Sequence, residues 1–435
     1  MKGHLKATRA ARSNEAQGRA SALMRRILLV VHVAIVSSLL LFAVFEWFPH
    51  LIWQTGLHRI EYFALRATYI PDPALVLVPR YIGDSTSGVY KGDLYRPELG
   101  VSVAENRYTR HYTRDGFPLN SAEPPFQLVL LGDSFVETGD DDDSTLSERV
   151  RAETGLSTYN LGRSWYGPFQ YLELLRRHAI PLRPEIVMLC FFAGNDIEDI
   201  GQYERWRSTG AYHFYEGELS RSFFRRYLTA LSETGAYVAK RLLSRARREA
   251  AHWTTPSDPS ETPHQPAPVH PELAVVELGS TEVTMAFAYW RHEASAAELL
   301  STESWQTLRS LLSEFRELSL ANGIKPVLVY IPTRIEVYGP YATARSGHHF
   351  NARLAAYAPH RASARTAFNT LATELDLDLI DLTPEFERRA GQGELLHHPF
   401  DTHWNRSGIR AAAVHIASFL DKRAISDRTA QPPQP

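Results

Sequence analysis

The segment FQLVLLGDSFVE, residues 126–137, decides the fold that we expect for this chain. An apolar run of strand length ends abruptly in Gly132-Asp133-Ser134, and polar residues follow. In an α/β protein such a run is a parallel strand, and the loop at its carboxyl end presents side chains to a ligand. Since Gly, Asp and Ser are also common turn residues, an ordinary strand-to-helix turn is the alternative. Ser134 is therefore a candidate functional residue whose role depends on the rest of the chain.

Strands and helices alternate downstream of this segment. Segments with the pattern of strands occur at residues 158–162, 186–192, 326–331 and 377–381, of which 186–192 is a continuous apolar run, and helical segments occur between them. Successive strand-helix-strand steps favour right-handed crossovers and a parallel sheet. The alternation stops between about residues 200 and 300, where residues 253–271 have the Pro, Ser, Thr and His content of a flexible linker. We predict an α/β domain over residues 123–422, with an insert at about 200–300 and a disordered tail at 423–435.

The amino-terminal region has the pattern of a membrane anchor. An uncharged run from Ile27 to Phe45 is long enough to cross a bilayer as a helix. Seven basic residues precede it: Lys2, Lys6, Arg9, Arg12, Arg19, Arg25 and Arg26. Basic flanks stay in the cytoplasm, so we predict a cytoplasmic tail at 1–26, a transmembrane helix at 27–47 and an extracytoplasmic region at 48–122. A cleaved signal peptide is the alternative, but no small-residue cleavage site follows the run. The predicted location is the inner membrane, with the α/β domain in the periplasm.

Composition excludes some partners. Lys plus Arg number 47 against 49 for Asp plus Glu, so the chain lacks the basic excess of a nucleic-acid-binding protein. Cys190 is the single cysteine, which excludes an intramolecular disulfide.

Residues 221–250 have the pattern of a basic amphipathic helix, which would rest either on anionic lipid or glycan or on the surface of its own domain.

Four more polar or glycine positions follow predicted strand ends or stand near the carboxyl terminus: Gly162, Asn195, Asp401 and His403. Together with Ser134 they supply the groups that acyl transfer needs. A serine hydroxyl becomes a nucleophile when a histidine takes its proton, and an acid orients that histidine. The developing oxyanion needs donors, such as a backbone N–H and a side-chain amide. The alternatives are a turn at Gly162, a helix cap at Asn195 and a surface histidine at His403.

These blocks resemble the four sequence blocks of the SGNH, or GDSL-type, hydrolase superfamily, and the resemblance covers roughly residues 126–420. It implies a flavodoxin-like three-layer α/β/α fold with a mostly parallel sheet. It also implies an enzyme that uses no metal or organic cofactor and cleaves or transfers acyl groups, often acetyl esters on carbohydrates or lipids. By this resemblance Ser134 is the nucleophile, His403 the base and Asp401 its orienting acid. The oxyanion donors would be Ser134, Gly162 and Asn195.

The histidine block departs from the common pattern of the superfamily. Two residues usually separate the acid from the histidine, whereas Asp401 and His403 are separated by one. The shorter spacing resembles the alginate-type O-acetyltransferase branch, in which the Asp-x-His pair precedes the serine. In this chain the serine comes first. The order of the blocks therefore favours an esterase, and the local motif favours a relative of the transferases.

Other enzyme classes lack their signatures in this chain. The Gly-x-Ser-x-Gly motif of α/β-hydrolases is absent because Val136 occupies the position of its last glycine, and no His-Glu-x-x-His motif occurs. A second Gly-Asp-Ser at residues 83–85 has no helical segment behind it, so we interpret it as a turn. The aspartates at 140–143 lack the Gly and distal Glu of a calcium loop and are interpreted as a solvated acidic loop.

The sequence thus predicts a membrane-anchored serine esterase that acts on O-acyl groups, foremost O-acetyl, on an envelope or exported polysaccharide or on a small ester. One alternative is an O-acyltransferase that modifies a polysaccharide and receives its acyl group from a donor delivered by a membrane partner. The other alternative is a non-catalytic glycan-binding or assembly module with the same fold. The acyl group, the acceptor and the oligomeric state have no signal in the sequence.

Overall fold

The computed structural model describes residues 24–26, 28–40, 43, 69–72, 74–79, 85–95, 102–103, 105–113, 115–209, 272–288, 294–343 and 345–430. Contacts divide the chain into two units, and nearly all of these residues belong to the second, which comprises residues 68–208, 212–214 and 258–435. The predicted basic helix at 221–250 and the predicted linker at 253–271 lie outside the described residues.

The first unit contains the segment for which a transmembrane helix is predicted. Residues 24–26, 28–40 and 43 are helical, and the large apolar side chains among them, including Leu28, Leu29, Val33 and Leu39, are exposed. No helix in the described part of the chain is both long and apolar enough to span a bilayer. Most of the residues from 41 to 47 lie outside the description, so the span at 27–47 stays a prediction.

The second unit contains all of the strands that the structure describes. They are β1 (Tyr69–Asp72), β2 (Val76–Pro79), β3 (Ser85–Tyr90), β4 (Asn106–His111), β5 (Leu128–Gly132), β6 (Thr158–Gly162), β7 (Ile186–Phe192), β8 (Glu272–Leu278), β9 (Thr281–Phe287), β10 (Lys325–Ile331) and β11 (Asp378–Asp381). Five of them form the central sheet in the order β6, β5, β7, β10, β11, and every neighbouring pair in that sheet is parallel. The predicted α/β fold with a mostly parallel sheet is confirmed.

The helices of this unit follow the strands in the expected alternation. They are α1 (Ser134–Glu137), α2 (Leu146–Thr154), α3 (Pro168–Leu174), α4 (Ile180–Leu182), α5 (Asp196–Thr209), α6 (Ala296–Ser301), α7 (Glu303–Ala321), α8 (Arg334–Tyr338), α9 (His348–Tyr357), α10 (Ser363–Glu374), α11 (Thr383–Gly391) and α12 (Arg406–Ala430). A π-helical turn at Leu175–Ala179 joins α3 to α4.

Alternate residues of the central strands point to opposite faces of the sheet, and each face is covered. On one face Leu130 and Cys190 join a core that includes Val150 of α2 and Ile416 of α12. On the other face Phe191 packs at 4.4 Å, between ring centroids, from Phe368 of α10. Because the inner strands β5 and β7 are buried on both faces, they read as continuous apolar runs in the sequence. The layers are therefore helix, sheet and helix.

The order of the strands locates the edge at which a ligand would bind. The first strand of the sheet, β5, lies between β6 and β7, so the chain winds in one direction to β6 and in the other to β7 and beyond. This is the 2-1-3-4-5 order of flavodoxin-like folds, in which ligands bind beyond the carboxyl end of the strands at the switch point. Ser134 follows the end of β5 and therefore stands at this point.

Two elements differ from the expectation. Within the predicted insert the chain forms an antiparallel hairpin, β8 with β9, which pairs Leu278 with Thr281 across the turn residues Gly279 and Ser280. Gly279 has φ +61°, the left-handed conformation that glycine adopts without steric cost. At the carboxyl end α12 continues to Ala430, so the first part of the predicted disordered tail at 423–435 is helical. Residues 409–431 contain no proline or glycine, which allows the helix to continue.

Candidate active site

Ser134, His403 and Asp401 form one hydrogen-bonded chain at the carboxyl edge of the sheet. His403 Nε2 lies 2.7 Å from Ser134 Oγ, and His403 Nδ1 lies 2.5 Å from Asp401 Oδ1. The Asp401 carboxylate is buried, whereas the His403 side chain is 19% exposed and Ser134 is partly exposed. The structure thus brings together the three residues that the sequence predicts as nucleophile, base and acid, in the geometry of a serine triad.

The turn that carries Ser134 depends on the residues around it. Asp133 caps helix α1 by accepting the N–H of Phe135 at 2.9 Å. A side chain at Gly132 would place its Cβ 2.4 Å from Val136 Cγ2, so only glycine lets the helix begin so close to the strand. As the first residue of α1, Ser134 also has a backbone N–H that no preceding helical turn accepts.

A buried arginine, Arg334, holds the loop that contains Asp401 and His403. Arg334 Nη1 donates to the carbonyl oxygen of Asp401 at 2.7 Å, and Nη2 donates to the carbonyl oxygen of Pro399 at 2.8 Å. Its guanidinium carbon also lies 5.5 Å from the ring centroid of Phe287 in β9. Burial lowers the pKa of Arg334 to about 10, so the side chain remains a cation at neutral pH. Arg334 follows the end of β10, the same kind of position that marked the other site residues, but the sequence prediction omitted it.

The electrostatics of His403 reflect two opposing influences. Burial lowers the pKa of the imidazole, but the charge and hydrogen bond of Asp401 outweigh it, and the charges of Asp93 and Asp133 add to the effect. The net result raises the pKa of His403 to about 9. The protonated form of His403 is therefore strongly stabilised.

The predicted oxyanion donors are placed differently from one another. The N–H of Gly162 donates to Asn160 Oδ1 at 2.8 Å inside the protein, so this group is committed to a structural bond. Asn195 instead lies partly exposed, and its Nδ2 donates to Asp199 Oδ2 at 2.7 Å. A side-chain amide carries two N–H donors, so this bond orients the Asn195 amide and leaves its second hydrogen for a ligand. Ser134 and Asn195 remain the predicted donors.

The loop after β6 is tied to the helix that carries the nucleophile. Arg163 Nη1 donates to Glu137 Oε1 at 2.6 Å, and both side chains are almost wholly excluded from water. The N–H of Ser164 donates to the other carboxylate oxygen of Glu137 at 2.5 Å. The next residue, Trp165, has φ +73°, a conformation that is rare for bulky residues and is maintained only where the surroundings enforce it. No sequence motif marks this pair.

Three carboxyl groups lie buried behind the nucleophile. Burial raises the pKa of Asp133 to about 6, and burial together with the neighbouring acids raises the pKa values of Asp196 and Asp199 well above their ordinary range. Asp196 accepts the hydroxyl of Tyr171 at 2.9 Å and the N–H of Phe192 at 2.9 Å. Their surroundings therefore favour the protonated forms of Asp196 and Asp199, and both side chains bond to residues at the turn after β7.

Among the described residues, the one group of side chains whose geometry would suit a metal ion is Asp93, Asp401 and His403, whose candidate ligand atoms lie within 4.8 Å of one another. Hydrogen bonds already engage these atoms: Asp401 Oδ1 accepts the N–H of His403 at 2.9 Å, and Asp93 Oδ1 accepts the N–H of Thr402 at 2.8 Å. The triad accounts for the cluster without an ion. The sequence prediction assigns no metal or cofactor.

The predicted acidic loop at 140–143 is bonded to the rest of the protein. Arg406 at the start of α12 donates to Asp140 Oδ2 at 3.0 Å and also pairs with Asp141. Asp142 accepts the N–H of His111 from β4 at 2.8 Å. Instead of being freely solvated, the loop connects β4 and α12 beside the triad.

A cavity of about 490 Å³ adjoins the histidine loop. Its wall includes the residues Lys91, Asn106, Glu282, Thr284, His398 and Phe400. These come from the segment before the α/β domain, from strands β4 and β9, and from the loop that precedes Asp401. The cavity therefore offers one aromatic surface and several hydrogen-bonding groups close to the catalytic loop.

Comparison with known proteins gives one match to a family. Residues 288–434 match the family described as "SGNH hydrolase-like domain, acetyltransferase AlgX". No curated protein matches the chain. The matched region contains Asp401 and His403 but not Ser134.

Several solved structures are similar to the chain at low identity. A GDSL-like lipase from Bacteroides thetaiotaomicron is 11% identical, with 69% of this chain and 92% of that chain covered and a TM-score of 0.32. A lipase/acylhydrolase from Enterococcus faecalis is 12% identical, with coverage of 68% and 95% and a TM-score of 0.32. An acetyl xylan esterase is 12% identical, with coverage of 67% and 98% and a TM-score of 0.31. Likenesses this distant carry no argument about function. The match of residues 288–434 confirms the resemblance to SGNH hydrolases that the sequence blocks predict.

Proposed function

We propose that this protein is a serine-dependent acyl-ester enzyme in which Ser134 takes up an acyl group from an ester. The observation that carries the proposal is the unbroken chain from Ser134 Oγ through His403 to Asp401, with distances of 2.7 and 2.5 Å. An ordinary turn serine does not require a histidine within hydrogen-bonding distance whose ring is itself oriented by a buried carboxylate. That combination is the signature of an activated nucleophile.

The first half of the reaction follows from these contacts. Ser134 Oγ attacks the acyl carbonyl carbon while its proton moves to His403 Nε2, and Asp401 stabilises the imidazolium through Nδ1. The negative charge on the carbonyl oxygen is met by the N–H of Ser134 and by the second amide hydrogen of Asn195. The tetrahedral intermediate then collapses, and His403 returns the proton to the departing alcohol. The products of this step are an acyl-serine and the free alcohol.

The second half decides between hydrolysis and transfer. If water attacks the acyl-serine, the protein is an esterase. If a hydroxyl of a second molecule attacks, it is an O-acyltransferase. The esterase is our first proposal because the serine precedes the Asp-x-His pair in the chain. The transferase is the second candidate, because the matched family model is described as an acetyltransferase.

We propose an O-acylated carbohydrate as the substrate class, with acetyl as the acyl group. The support is the cavity beside the histidine loop, in which an aromatic ring at Phe400 lies among Asn106, Thr284 and other hydrogen-bonding residues. Sugars present both apolar C–H faces and hydroxyl groups, so a lining of this kind suits them. An acyl donor presented by a membrane partner belongs to the transferase candidate alone.

The proposed location is the inner membrane, with the α/β domain in the periplasm. The basic residues that precede the uncharged run from Ile27 to Phe45 support this orientation. The exposed apolar side chains of the helix at 28–40 are in keeping with a lipid environment. Protease added outside spheroplasts should degrade the region after residue 48, and protection of that region would overturn the orientation.

The test of the activity is the release of acetate from p-nitrophenyl acetate by the full-length protein, followed by acetylated glycans with and without a hydroxyl acceptor. We expect Ser134→Ala and His403→Gln to abolish turnover and to leave the melting temperature within a few degrees of wild type. The partition of the acetyl group between water and the acceptor separates the esterase from the transferase.

The second Gly-Asp-Ser of the chain offers a matched control. Ser85→Ala removes the same hydroxyl from the same tripeptide, but Ser85 begins strand β3, where it pairs with His111. This variant should retain full turnover. If a folded wild type releases no acetate, transfers none and fails to react with a fluorophosphonate, the catalytic proposal is wrong, and a binding or assembly module becomes the better account.

A further inference from the structure

The segment Gly92–Leu94 is packed directly against the loop that carries the acid and base. The N–H of Leu94 donates to the carbonyl oxygen of Phe400 at 3.0 Å. Gly92 has φ +109°, and a Cβ at this position would lie 2.0 Å from the same carbonyl oxygen. The approach of the two backbones thus requires glycine, which places the next residue, Asp93, beside the triad.

Asp93 bonds to two successive residues of the catalytic loop. Its Oδ1 accepts the N–H of Thr402 at 2.8 Å, and its Oδ2 accepts the hydroxyl of Thr402 at 2.5 Å. Its own backbone N–H donates to Asp401 Oδ2 at 3.2 Å. Since Thr402 is the residue between Asp401 and His403, these bonds fix both the backbone of the motif and the second oxygen of the catalytic acid.

This arrangement divides the two oxygens of Asp401 between two tasks. Oδ2 accepts from Asp93, while Oδ1 accepts both the backbone N–H and Nδ1 of His403, at 2.9 and 2.5 Å. A carboxylate held at both oxygens cannot rotate away from the imidazole. When the imidazole is neutral, its proton therefore stays on Nδ1, and Nε2 is the acceptor for Ser134.

Asp93 also contributes charge. The charged groups that face it are Asp401, His403 and Arg334. Burial and the charge of Asp401 raise the pKa of Asp93 to about 6, so it is mostly ionised at neutral pH in spite of its carboxylate neighbour. The negative charge of Asp93 in turn favours the protonated form of His403.

We propose that Asp93 is a positioning residue of the triad: it clamps Thr402 and Asp401 so that His403 stays aligned with Ser134, and it adds a second negative charge to the field that stabilises the imidazolium. The proposal rests on the function proposed above, because it names a further determinant of the same site. It gives the segment Gly92–Leu94, which precedes the α/β domain in the chain, a role in positioning the triad.

The test compares the full-length wild type with Asp93→Asn, Thr402→Val and Thr402→Ser. The readouts are the rate of covalent labelling by a fluorophosphonate as a function of pH and the melting temperature. For Asp93→Asn we expect labelling on the order of 10-fold slower, since misalignment of a reacting group reduces its rate steeply. We expect the labelling midpoint to fall by about 1 pH unit, because removal of a negative charge disfavours the imidazolium.

The threonine variants separate alignment from charge. Thr402→Val removes the hydroxyl that Asp93 accepts and should slow labelling with a smaller change in the midpoint, whereas Thr402→Ser keeps that hydroxyl and should label at close to the wild-type rate. A double variant Asp93→Asn/Thr402→Val should be no slower than Asp93→Asn alone, because the two residues act through one link.

A matched control comes from a second acid that makes the same pair of bonds away from the triad. Glu148 in α2 accepts the N–H of Ser121 at 2.7 Å and its hydroxyl at 2.9 Å. Glu148→Gln should lower the melting temperature but leave the labelling midpoint unchanged. If Asp93→Asn has the same midpoint as wild type and the same rate as Glu148→Gln, Asp93 is a structural residue only and the proposal is overturned.

A failure of the proposed function is distinguished by a measurement that needs no activity. The pKa of His403 is read from the NMR signals of ¹³C-labelled histidine, with His403→Gln to assign the resonance. If the wild type does not react with the fluorophosphonate, the proposed acyl-ester function is wrong whatever the role of Asp93. The positioning role then stands if Asp93→Asn lowers the pKa of His403 and falls if that pKa is unchanged.

Discussion

Arg334 and Asp401 are joined by a hydrogen bond from Nη1 to the carbonyl oxygen of Asp401 at 2.7 Å, and Arg334 as a whole residue is only 3% exposed. The other terminal nitrogen holds the carbonyl of Pro399 at 2.8 Å, so one side chain spans two turns of the catalytic loop. Arg334 therefore supports Asp401, the proposed catalytic acid, through its backbone carbonyl.

We predict that Arg334→Lys slows turnover on the order of 10-fold and destabilises the domain by about 1–3 kcal/mol, because one ammonium cannot reach both carbonyls and leaves a buried acceptor unsatisfied. Acetate release and urea unfolding measure the two effects. Arg388→Lys is the control, since Arg388 is 51% exposed and its bonds are confined to Glu385 and Gln392 in and beside α11. Equal behaviour of the two variants would contradict the supporting role.

The pKa of His403 predicts an alkaline pH dependence. The base must be neutral to accept the proton of Ser134, and its pKa is raised to about 9. Turnover should therefore increase as the pH rises above neutrality, reach half of its maximum near pH 9 and level off above that value. A profile of kcat/KM against pH for the wild type measures this limb. A limb centred near pH 6.5, the ordinary value for histidine, would mean that the carboxylates around His403 do not govern its charge.

Replacement of Asp133 by asparagine is expected to stabilise the protein by an amount that depends on pH. Burial raises the pKa of this carboxyl from 3.8 to about 6, so between these values the folded protein holds a proton that the unfolded chain has released. The free energy of unfolding contributed by Asp133 therefore falls as the pH rises through this range. Asparagine can cap α1 in the same way without a charge, so Asp133→Asn should be more stable than wild type at pH 7, on the order of 2 kcal/mol.

The gain should shrink towards pH 4, where the wild-type carboxyl is protonated. Urea unfolding of both proteins at pH 4, 5.5 and 7 measures the difference. A difference that does not change with pH would show that ionisation of Asp133 is not its source.

Alanine substitutions at two glycines with positive φ distinguish the cost of backbone strain from the cost of a steric clash. Gly92, at φ +109°, faces the carbonyl of Phe400, whereas Gly155, at φ +73°, ends α2 with no atom within 4 Å of the Cβ that an alanine would add. Gly155→Ala should cost about 1 kcal/mol from conformation alone. Gly92→Ala should cost more and should also slow fluorophosphonate labelling, because the segment that carries Asp93 is forced away from the catalytic loop. Equal losses, with labelling unchanged, would refute that coupling.

Most of the central sheet was predictable because its strands are buried on both faces. The runs that end at Gly132 and Phe192 are continuous and apolar, the shorter strand that ends at Gly162 includes polar residues, and each of the three meets a polar or glycine-rich turn at the edge where ligands bind. The same logic identified Ser134, Asn195, Asp401 and His403. It omitted the β8–β9 hairpin, although the Gly279-Ser280 pair between two β-rich runs is a hairpin signal.

Asp93 lay beyond this reasoning for a physical reason. Its bond to Asp401 joins residues 308 positions apart, and the local sequence Lys91-Gly92-Asp93 reads as an ordinary turn. Likewise, the N–H of Gly162 bonds to the side chain of Asn160, and this side chain is oriented inward by the packing of the sheet. No local pattern in the sequence therefore indicates that this N–H is already occupied. Local patterns reveal which residues stand at an edge. Which of them pair across it depends on the tertiary structure.

The contact between Ser134 and His403 closes a loop of 269 residues. During synthesis the hydroxyl emerges from the ribosome early, and the imidazole and its carboxylate emerge only after both sheet halves have been made. A chain whose translation stops before residue 401 contains Ser134 but lacks both Asp401 and His403. On the function proposed above, reactivity would therefore depend on completion of the domain, and prematurely terminated chains would not attack esters around them.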